Sequence, residues 1–272
     1  MNPDGWIAAQ SFKRGNPVPD ERILANIRVN QARALPWLPA VKQHDDIMLF
    51  AAGGPSLALY LDEIRRRVAE PNIHLWTSAG THDYLIENGI VPRGFFQLDP
   101  KPSVARYLQK PHPDVLYVVS TGCDPAIFDA LKCHRVLLAH CPTGAGEETV
   151  CEGDHARING GSSTPLRCVT LAFVLGFQTM EFYGLDACVQ EGRDYAYDKS
   201  AGTGKVTVET PDGRKFLTTK VLMEQAEDFR RVLEEFGEHM SFVVHGDGLI
   251  SHLGSLGYDP LDQSMGPFFG KD

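Results

Sequence analysis

The chain of 272 residues is long enough for one large domain or two small ones with a buried core, and 43% of its residues are apolar. Acidic residues outnumber basic residues by 35 to 26, and the resulting formal charge of −9 argues against non-specific binding to nucleic-acid phosphates. No apolar run approaches the roughly 20 residues of a membrane helix, and no apolar signal segment follows Met1. We therefore expect a cytoplasmic protein without a nucleic-acid or membrane partner; the sequence leaves the oligomeric state open.

The chain divides into a polar start and a longer segment with regular alternation. Residues 1–45 are rich in proline, carry one predicted helix around 21–34, and are treated as an amino-terminal appendage. In the predicted main domain, 46–255, short apolar runs alternate with helical segments, and 256–272 form a tail. The predicted strands are 46–51, 72–77, 94–98, 114–120, 134–139, 178–184 and 240–244. The predicted helices are 55–69, 81–88, 102–109, 125–131, 163–175 and 218–237.

Near-continuous apolar strands interleaved with helices are typical of a parallel sheet that is covered on both faces. The predicted fold class is therefore α/β, a Rossmann-like three-layer sandwich with a mainly parallel sheet. Residues 203–219 differ, because apolar and polar residues alternate around Pro211-Asp212-Gly213 and predict an inserted β-hairpin. The pattern leaves open whether this hairpin covers a site as a lid or is an exposed decoration.

A glycine-rich turn follows the first predicted strand of the main domain. It consists of Gly53, Gly54, Pro55 and Ser56, and it opens the next helix. Glycines leave room for an anion beside the backbone, and a helix start favours negative charge, so these four residues are candidate nucleotide-phosphate ligands. The turn matches neither the dinucleotide-binding fingerprint nor the P-loop, and a plain tight connection is the alternative.

Other polar residues follow the remaining strands, where ligands of parallel sheets bind. Thr77, Ser78 and Thr121 are candidate nucleotide contacts after the second and fourth strands. Gly161, Ser162 and Ser163 open the helix 163–175 and form a candidate second phosphate site. Helix capping is the competing explanation for such residues.

Two carboxylates and one histidine are the candidate catalytic residues. Asp99 lies at a strand end, where it would bind either Mg²⁺, together with substrate phosphates, or a ribose hydroxyl. Asp186 is similarly placed after the sixth strand. If the reaction is diphosphoryl transfer, the two carboxylates would share metal binding and orient the acceptor. His245 follows the last strand and is a candidate general base.

Two aromatic and two acidic residues lie together before the hairpin, namely Asp194, Tyr195, Tyr197 and Asp198. Tyrosine rings stack on a base or a pterin, and carboxylates accept hydrogen bonds from ring nitrogens or hydroxyls. These four residues are therefore candidate substrate ligands, with packing of the hairpin base as the alternative.

Five motifs in chain order resemble those of the MptE-like family, which is grouped around 6-hydroxymethyl-dihydropterin diphosphokinase. They are Gly53 to Leu57 (GGPSL), Gly89 to Pro92 (GIVP), Gln97 to Pro100 (QLDP), Gly161 to Thr164 (GSST) and Phe182 to Asp186 (FYGLD). The resemblance covers about residues 46–250. It implies a Rossmann-like, ATP- and Mg²⁺-dependent transferase that passes a pyrophosphoryl group to a hydroxyl of a hydroxymethylpterin-like acceptor. Arg93 departs from the family pattern, which shows aspartate there.

Bacterial CMP-sialic-acid-dependent sialyltransferases resemble the same segments more weakly. The similar stretches are Val174 to Phe177, Gly184 to Asp186 and Asp194 to Asp198, whereas Gly53 stands where that family usually shows asparagine. This second resemblance implies transfer of a CMP-activated acidic sugar to a glycan acceptor, with His245 as the base. A nucleotide-binding protein without turnover is the third alternative, so the donor and the acceptor stay open.

Overall fold

The computed structural model describes residues 18–147, 150, 151, 153, 155–197 and 204–256. The strands in these residues are β1 (His44–Ala51), β2 (Ile73–Thr77), β3 (Gly94–Gln97), β4 (Leu116–Ser120), β5 (Arg135–Ala139), β6 (Phe177–Tyr183), β7 (Lys205–Glu209), β8 (Lys215–Thr219) and β9 (Ser241–His245). The α-helices are α1 (Asp20–Gln31), α2 (Leu61–Arg67), α3 (Thr81–Glu87), α4 (Pro125–Ala130), α5 (Thr164–Val174), α6 (Lys220–Phe236) and α7 (Leu249–Ser255). None of the described helices has the length and apolar character that crossing a membrane requires.

Seven strands form one sheet in the order β5-β4-β3-β2-β1-β6-β9, and every neighbouring pair is parallel. The register pairs Ala51 at the end of β1 with Thr77 of β2 and Tyr183 of β6. The carboxyl ends of the central strands therefore reach the same edge of the sheet. This arrangement confirms the predicted α/β, Rossmann-like fold class.

Alternate residues of the central strands supply the cores on the two faces of the sheet. Met48, Phe50 and Phe182 are buried against α5, α6 and α7 on one face. Leu49 and Tyr183 point to the opposite face, where α2 and α3 cover them. Because the strands are buried on both sides, their sequences read as apolar runs and not as an apolar–polar alternation.

Two predicted helices differ from the structure, and one helix was not predicted. The predicted helix 55–69 begins as a 3-10 helix, Pro55–Leu59, and becomes α-helical only at Leu61, after Tyr60 leaves helical geometry with φ of −110°. The predicted helix 102–109 is also a 3-10 helix, Pro102–Tyr107. Helix α7 was not predicted, because its seven residues contain a histidine, two serines and Gly254 and so lack an extended apolar repeat.

The described part of the predicted appendage packs on the sheet. The side-chain amide of Asn30 donates to the main-chain oxygens of Thr121 and Cys123, at 2.9 and 2.8 Å. Main-chain hydrogen bonds join this segment to Leu138 of the edge strand β5. The N–H of Leu38 donates to the oxygen of Leu138, and the N–H of Leu138 donates to the oxygen of Pro36, both at 2.8 Å. Residues near Leu38 therefore cover the edge that β5 would otherwise expose. The domain boundary at residue 45 remains a prediction.

The predicted hairpin is confirmed as the antiparallel pair β7–β8, which forms a separate two-stranded sheet. Gly213 has φ of +86°, which its turn requires and which other residues adopt at a cost. Val208 and Phe216 are buried against the main core. At the tip, Arg214 donates two hydrogen bonds to Asp247, at 2.7 and 2.6 Å, so the hairpin is fastened to the loop before α7.

Candidate functional site

A cleft of about 1610 Å³ lies at the carboxyl edge of the sheet. It is bounded by the segments that follow β1, β2, β3, β5 and β6, together with the starts of α5 and α6. Of the predicted site residues, those that line it are Gly53, Gly54, Ser78, Asp99, Gly161, Ser162, Ser163, Asp186, Asp194, Tyr195 and Tyr197. The volume exceeds the range of roughly 300–1,000 Å³ that is usual for one small ligand, so the cleft has space for more than one.

The glycine-rich turn after β1 is held by contacts within the protein. The N–H of Gly54 donates to the oxygen of Gly184 at 2.8 Å, and the N–H of Ser56 donates to the Asp186 carboxylate at 2.8 Å. Ser56 is only 1% exposed and, like Pro55, does not line the cleft. The N–H groups of Gly54 and Ser56, which were predicted to bind a phosphate, therefore donate to acceptors within the protein.

The two glycines of this turn make room for other parts of the protein. A Cβ atom on Gly54 would collide with the oxygen of Gly184 and the carboxylate of Asp186. A Cβ atom on Gly53 would lie 2.9 Å from the hydroxyl oxygen of Tyr197 and 3.1 Å from the ring of Tyr195. The absence of side chains here thus permits close packing of the β6 end and of the two tyrosines.

The carboxylates of Asp99 and Asp186 have different environments. Asp186 is 3% exposed, and burial raises the pKa of its carboxyl group although the contact with Ser56 partly opposes this change. Asp99 is more accessible, and its carboxylate accepts the N–H of Lys101 at 3.0 Å and lies 3.4 Å from the Lys101 ammonium. Asp99 is thus the more accessible of these two carboxylates.

The start of α5 is the more open of the two predicted phosphate sites. Ser163 is its N-cap residue but makes no side-chain capping hydrogen bond. Instead, the side-chain amide of Gln225 in α6 donates to the Ser163 hydroxyl oxygen at 2.8 Å and joins the starts of the two helices. The first N–H groups of α5 are therefore left without a side-chain cap.

Two cations of the cleft wall lie in the first turns of α5 and α6, and the sequence did not predict either. The Arg167 guanidinium donates to the main-chain oxygens of Gly161 and Pro142, at 3.3 and 2.9 Å, and Lys220 occupies the first position of α6. Both line the cleft, and neither has a carboxylate partner within the part of the chain that the structure describes. Their positions in the sequence could have indicated a binding role. A cation near a helix start is disfavoured by the helix dipole, so its presence there suggests a reason other than helix stability.

Residues 21–192 match the family model described as "6-hydroxymethylpterin diphosphokinase MptE-like". The chain belongs to the MptE-like family. This confirms the first resemblance that the motifs indicated. No curated protein matches the chain in sequence.

A solved structure similar to this MptE-like chain is that of the MAf glycosyltransferase from Magnetospirillum magneticum AMB-1, with a TM-score of 0.65 and 17% sequence identity. The match covers 86% of this chain and 37% of the other, so the chain spans little more than a third of that protein. At this level of identity the match establishes a shared fold.

Besides Pro55 and Ser56, three further predicted site residues do not line the cleft of the MptE-like chain. His245 lies on the face of the sheet that carries Tyr183. There its Nε2 lies 2.7 Å from the Glu181 carboxylate, and its ring stacks on that of Tyr183 with the centroids 4.1 Å apart. The Thr77 hydroxyl donates to the oxygen of Ala51, and the Thr121 hydroxyl lies 2.9 Å from His140 Nδ1. These side chains make structural contacts. Asp198, the fourth predicted substrate ligand, lies outside the described residues.

The described residues do not form a ready-made magnesium site. They contain no group of three His, Cys, Asp or Glu side chains arranged to hold a metal ion. The accessible carboxylate, Asp99, is paired with Lys101, and Asp186 is buried and bonded to Ser56. The binding of Mg²⁺ by Asp99 therefore stays a prediction.

Proposed function

We propose that this MptE-like protein is a nucleotide-dependent transferase that binds the donor phosphates between the starts of α5 and α6. The observation that carries the proposal is the pair Arg167 and Lys220, two cations in one cleft without carboxylate partners among the described residues. Membership of a family described as diphosphokinase-like supports a transferase role.

Electrostatics favours an anion at this place over the other candidate turn. Two helix starts point their positive ends into the cleft, and each has a cation beside it. At the Gly53–Ser56 turn, by contrast, the Asp186 carboxylate already occupies a helix-start N–H and contributes negative charge. A phosphate is therefore attracted to Arg167 and Lys220 and repelled by Asp186.

The reaction that fits the family description is pyrophosphoryl transfer from ATP to a hydroxymethylpterin-like acceptor. The acceptor hydroxyl oxygen would attack the β-phosphorus, the bond from that phosphorus to the bridging α–β oxygen would break, and AMP would leave. Arg167 and Lys220 would neutralise charge on the phosphates, while Asp99 is the accessible carboxylate for the hydroxyl proton. Magnesium, when bound with the nucleotide, supplies further charge neutralisation.

Glycosyl transfer from a CMP-activated acidic sugar is the second candidate. A donor with one phosphate requires less charge neutralisation than ATP, so Arg167 and Lys220 would suffice for it. The fold shared with a MAf glycosyltransferase is consistent with it. In this reaction the acceptor oxygen would attack the anomeric carbon, and CMP would leave with both electrons of the broken bond.

A thermal-shift and calorimetric comparison of ATP with Mg²⁺, CTP, CMP and 6-hydroxymethylpterin distinguishes these reactions, because a bound ligand stabilises the folded state. Stabilisation by ATP with Mg²⁺ and formation of AMP in the presence of the pterin support the diphosphokinase. Stabilisation by CMP and not by ATP supports the glycosyltransferase. Binding without any product indicates a nucleotide-binding protein, and absence of any nucleotide effect contradicts the proposal.

A further inference from the structure

The ring of Tyr197 lies in a seat made by two glycines from separate loops. A Cβ atom on Gly80 would lie 2.9, 3.2 and 3.2 Å from three atoms of the Tyr197 side chain, which are its nearest neighbours. A Cβ atom on Gly53 would lie 2.9 Å from the Tyr197 hydroxyl oxygen. Tyr84 packs on the same ring with centroids 5.7 Å apart. These contacts fix the ring where an ordinary side chain at either glycine would displace it.

Tyr195 shares this seat but presents its ring to the cleft. Its ring lies 5.5 Å from the Tyr197 ring at an angle of 29°, and it is 45% exposed on the cleft wall. Between the two tyrosines, the N–H of Ala196 donates to the oxygen of Gly53 at 3.0 Å. An exposed aromatic ring is thus held in one orientation by the residue behind it.

We infer that Tyr197, seated on Gly53 and Gly80, is a positioning residue that holds the Tyr195 ring as a stacking surface for a planar heteroaromatic substrate ring. The inference rests on the proposed function and narrows it, since it assigns the ring of a pterin or a nucleobase to this wall. The anionic part of a donor then lies toward Arg167 and Lys220, which line the same cleft. A base stacked on an aromatic ring is a recurrent and favourable arrangement.

Gly80 offers a substitution whose nearest contacts all belong to Tyr197. Its φ of −66° and ψ of −16° are ordinary right-handed helical values, so alanine suits the backbone there. The added methyl group meets only the Tyr197 ring among its three nearest contacts. Gly80→Ala therefore displaces Tyr197 in the wild-type background, and its three nearest contacts are removed when Tyr197 is alanine.

The test is a double-mutant cycle of Gly80→Ala and Tyr197→Ala in the full chain, with Tyr197→Phe as the conservative variant. Binding of 6-hydroxymethylpterin, ATP and CMP is measured by calorimetry, and hydrogen exchange reports the Ala196 N–H. We expect each alanine substitution to weaken binding of the ring-containing ligand by about tenfold, the scale of one lost stacking contact. The double variant should bind no more weakly than Tyr197→Ala, and Tyr197→Phe should bind like wild type.

The outcomes separate this inference from the proposed function. If wild type binds none of the three ligands, both the proposed function and the stacking role are contradicted. If wild type binds a ligand and both Gly80→Ala and Tyr197→Ala bind it as tightly as wild type does, only the positioning role is wrong. Faster exchange at Ala196 in both alanine variants supports the glycine seat, whereas unchanged exchange contradicts it. Additive losses in the double variant also contradict it, because Gly80 would then act independently of Tyr197.

Discussion

Asp186 joins three parts of the protein through one buried residue. Its carboxylate accepts the N–H of Ser56 at 2.8 Å, and its main-chain oxygen accepts the N–H of Leu249 at 2.8 Å. It therefore ties the turn after β1 and the end of β6 to the start of α7. Its 3% exposure leaves little surface for a substrate.

Replacing Asp186 by alanine should destabilise the fold by about 1–3 kcal/mol, because the N–H of Ser56 loses its buried acceptor. Asp186→Asn keeps an acceptor and should lose less. The free energy of unfolding from urea titrations checks this order. An alanine variant as stable as wild type would contradict the anchoring role.

The raised pKa of Asp186 predicts a direction for the pH dependence. Because the folded-state pKa is raised from 3.8 by burial, ionisation of this group favours the unfolded chain. Its contribution to stability is full below pH 3.8 and is lost as the pH rises through the folded-state pKa. The stability of wild type relative to Asp186→Asn should therefore decrease from acid pH toward neutral pH. A constant difference across that range would contradict the burial effect.

Glu181 should show the opposite dependence. Although burial raises the pKa of its carboxyl group, the opposing hydrogen bonds from Arg67 and His245 hold it, on balance, below 4.5. The stability that this group provides is present above pH 4.5 and is lost as the pH falls through the folded-state pKa. Glu181→Gln should cost about 2–3 kcal/mol near neutral pH and less in acid, measured by urea denaturation. An equal loss at both pH values would show that the charge is not responsible.

At the scale of elements, the hairpin is attached by its tip as well as by its buried strand residues. Arg214 binds Asp247, and His252 in α7 lies 3.1 Å from Asp212 in the turn. Asp247 and Arg214 are largely exposed, so their pair contributes little to global stability. Its effect is to hold the hairpin tip against the loop before α7.

Arg214→Ala should therefore accelerate hydrogen exchange in β7 and β8 while the melting temperature stays close to that of wild type. Lys215→Ala, which removes a neighbouring surface cation paired with Glu209, is the matched control. If exchange in the hairpin is the same in both variants, the Arg214–Asp247 pair does not fasten the tip.

The sequence predicted the seven sheet strands because each is a nearly continuous apolar run bounded by turn residues. β1, for instance, was predicted to begin at residue 46 and begins at His44. The direction of His245 was not predictable in the same way. It depends on the register of β9 with β6, which pairs His245 with Tyr183 and turns its ring away from the cleft.

The candidate site was predicted in outline, since Gly53, Asp99, Ser163 and Tyr195 all line one cleft. Its internal arrangement was not, because it depends on contacts between residues distant in sequence. The seat of Tyr197 on Gly53 and Gly80 and the bond from Gln225 to Ser163 are of this kind. Local turn chemistry indicates that glycine is needed but not which neighbour requires it.

For the whole molecule, the segment before β1 contributes to the main fold. Asn30 is fully buried and donates to two main-chain oxygens in the loop after β4. Asn30→Ala leaves both oxygens without this donor and should cost about 1–3 kcal/mol in the free energy of unfolding. One cooperative transition at lower denaturant is expected. A separate early transition would instead show that residues 18–45 unfold independently.

The positive charge in the cleft contrasts with the negative charge of the whole chain. The chain carries a net charge of −9, yet Arg167 and Lys220, at the starts of two helices in one cleft, have no carboxylate partner among the described residues. An anionic donor must therefore be attracted locally, against the sign of the whole molecule. The positions of these two cations make that attraction specific to one part of the cleft.

The most direct measurement is calorimetric affinity for the stabilising nucleotide in wild type, Arg167→Ala, Lys220→Ala and Arg66→Ala. Arg66 is an exposed cation of α2 that does not line the cleft, so its variant removes the same charge elsewhere. We expect each cleft variant to bind at least about tenfold more weakly, the scale of a lost hydrogen bond to a charged group, and Arg66→Ala to bind like wild type. Equal affinities in all four proteins would contradict phosphate binding between α5 and α6.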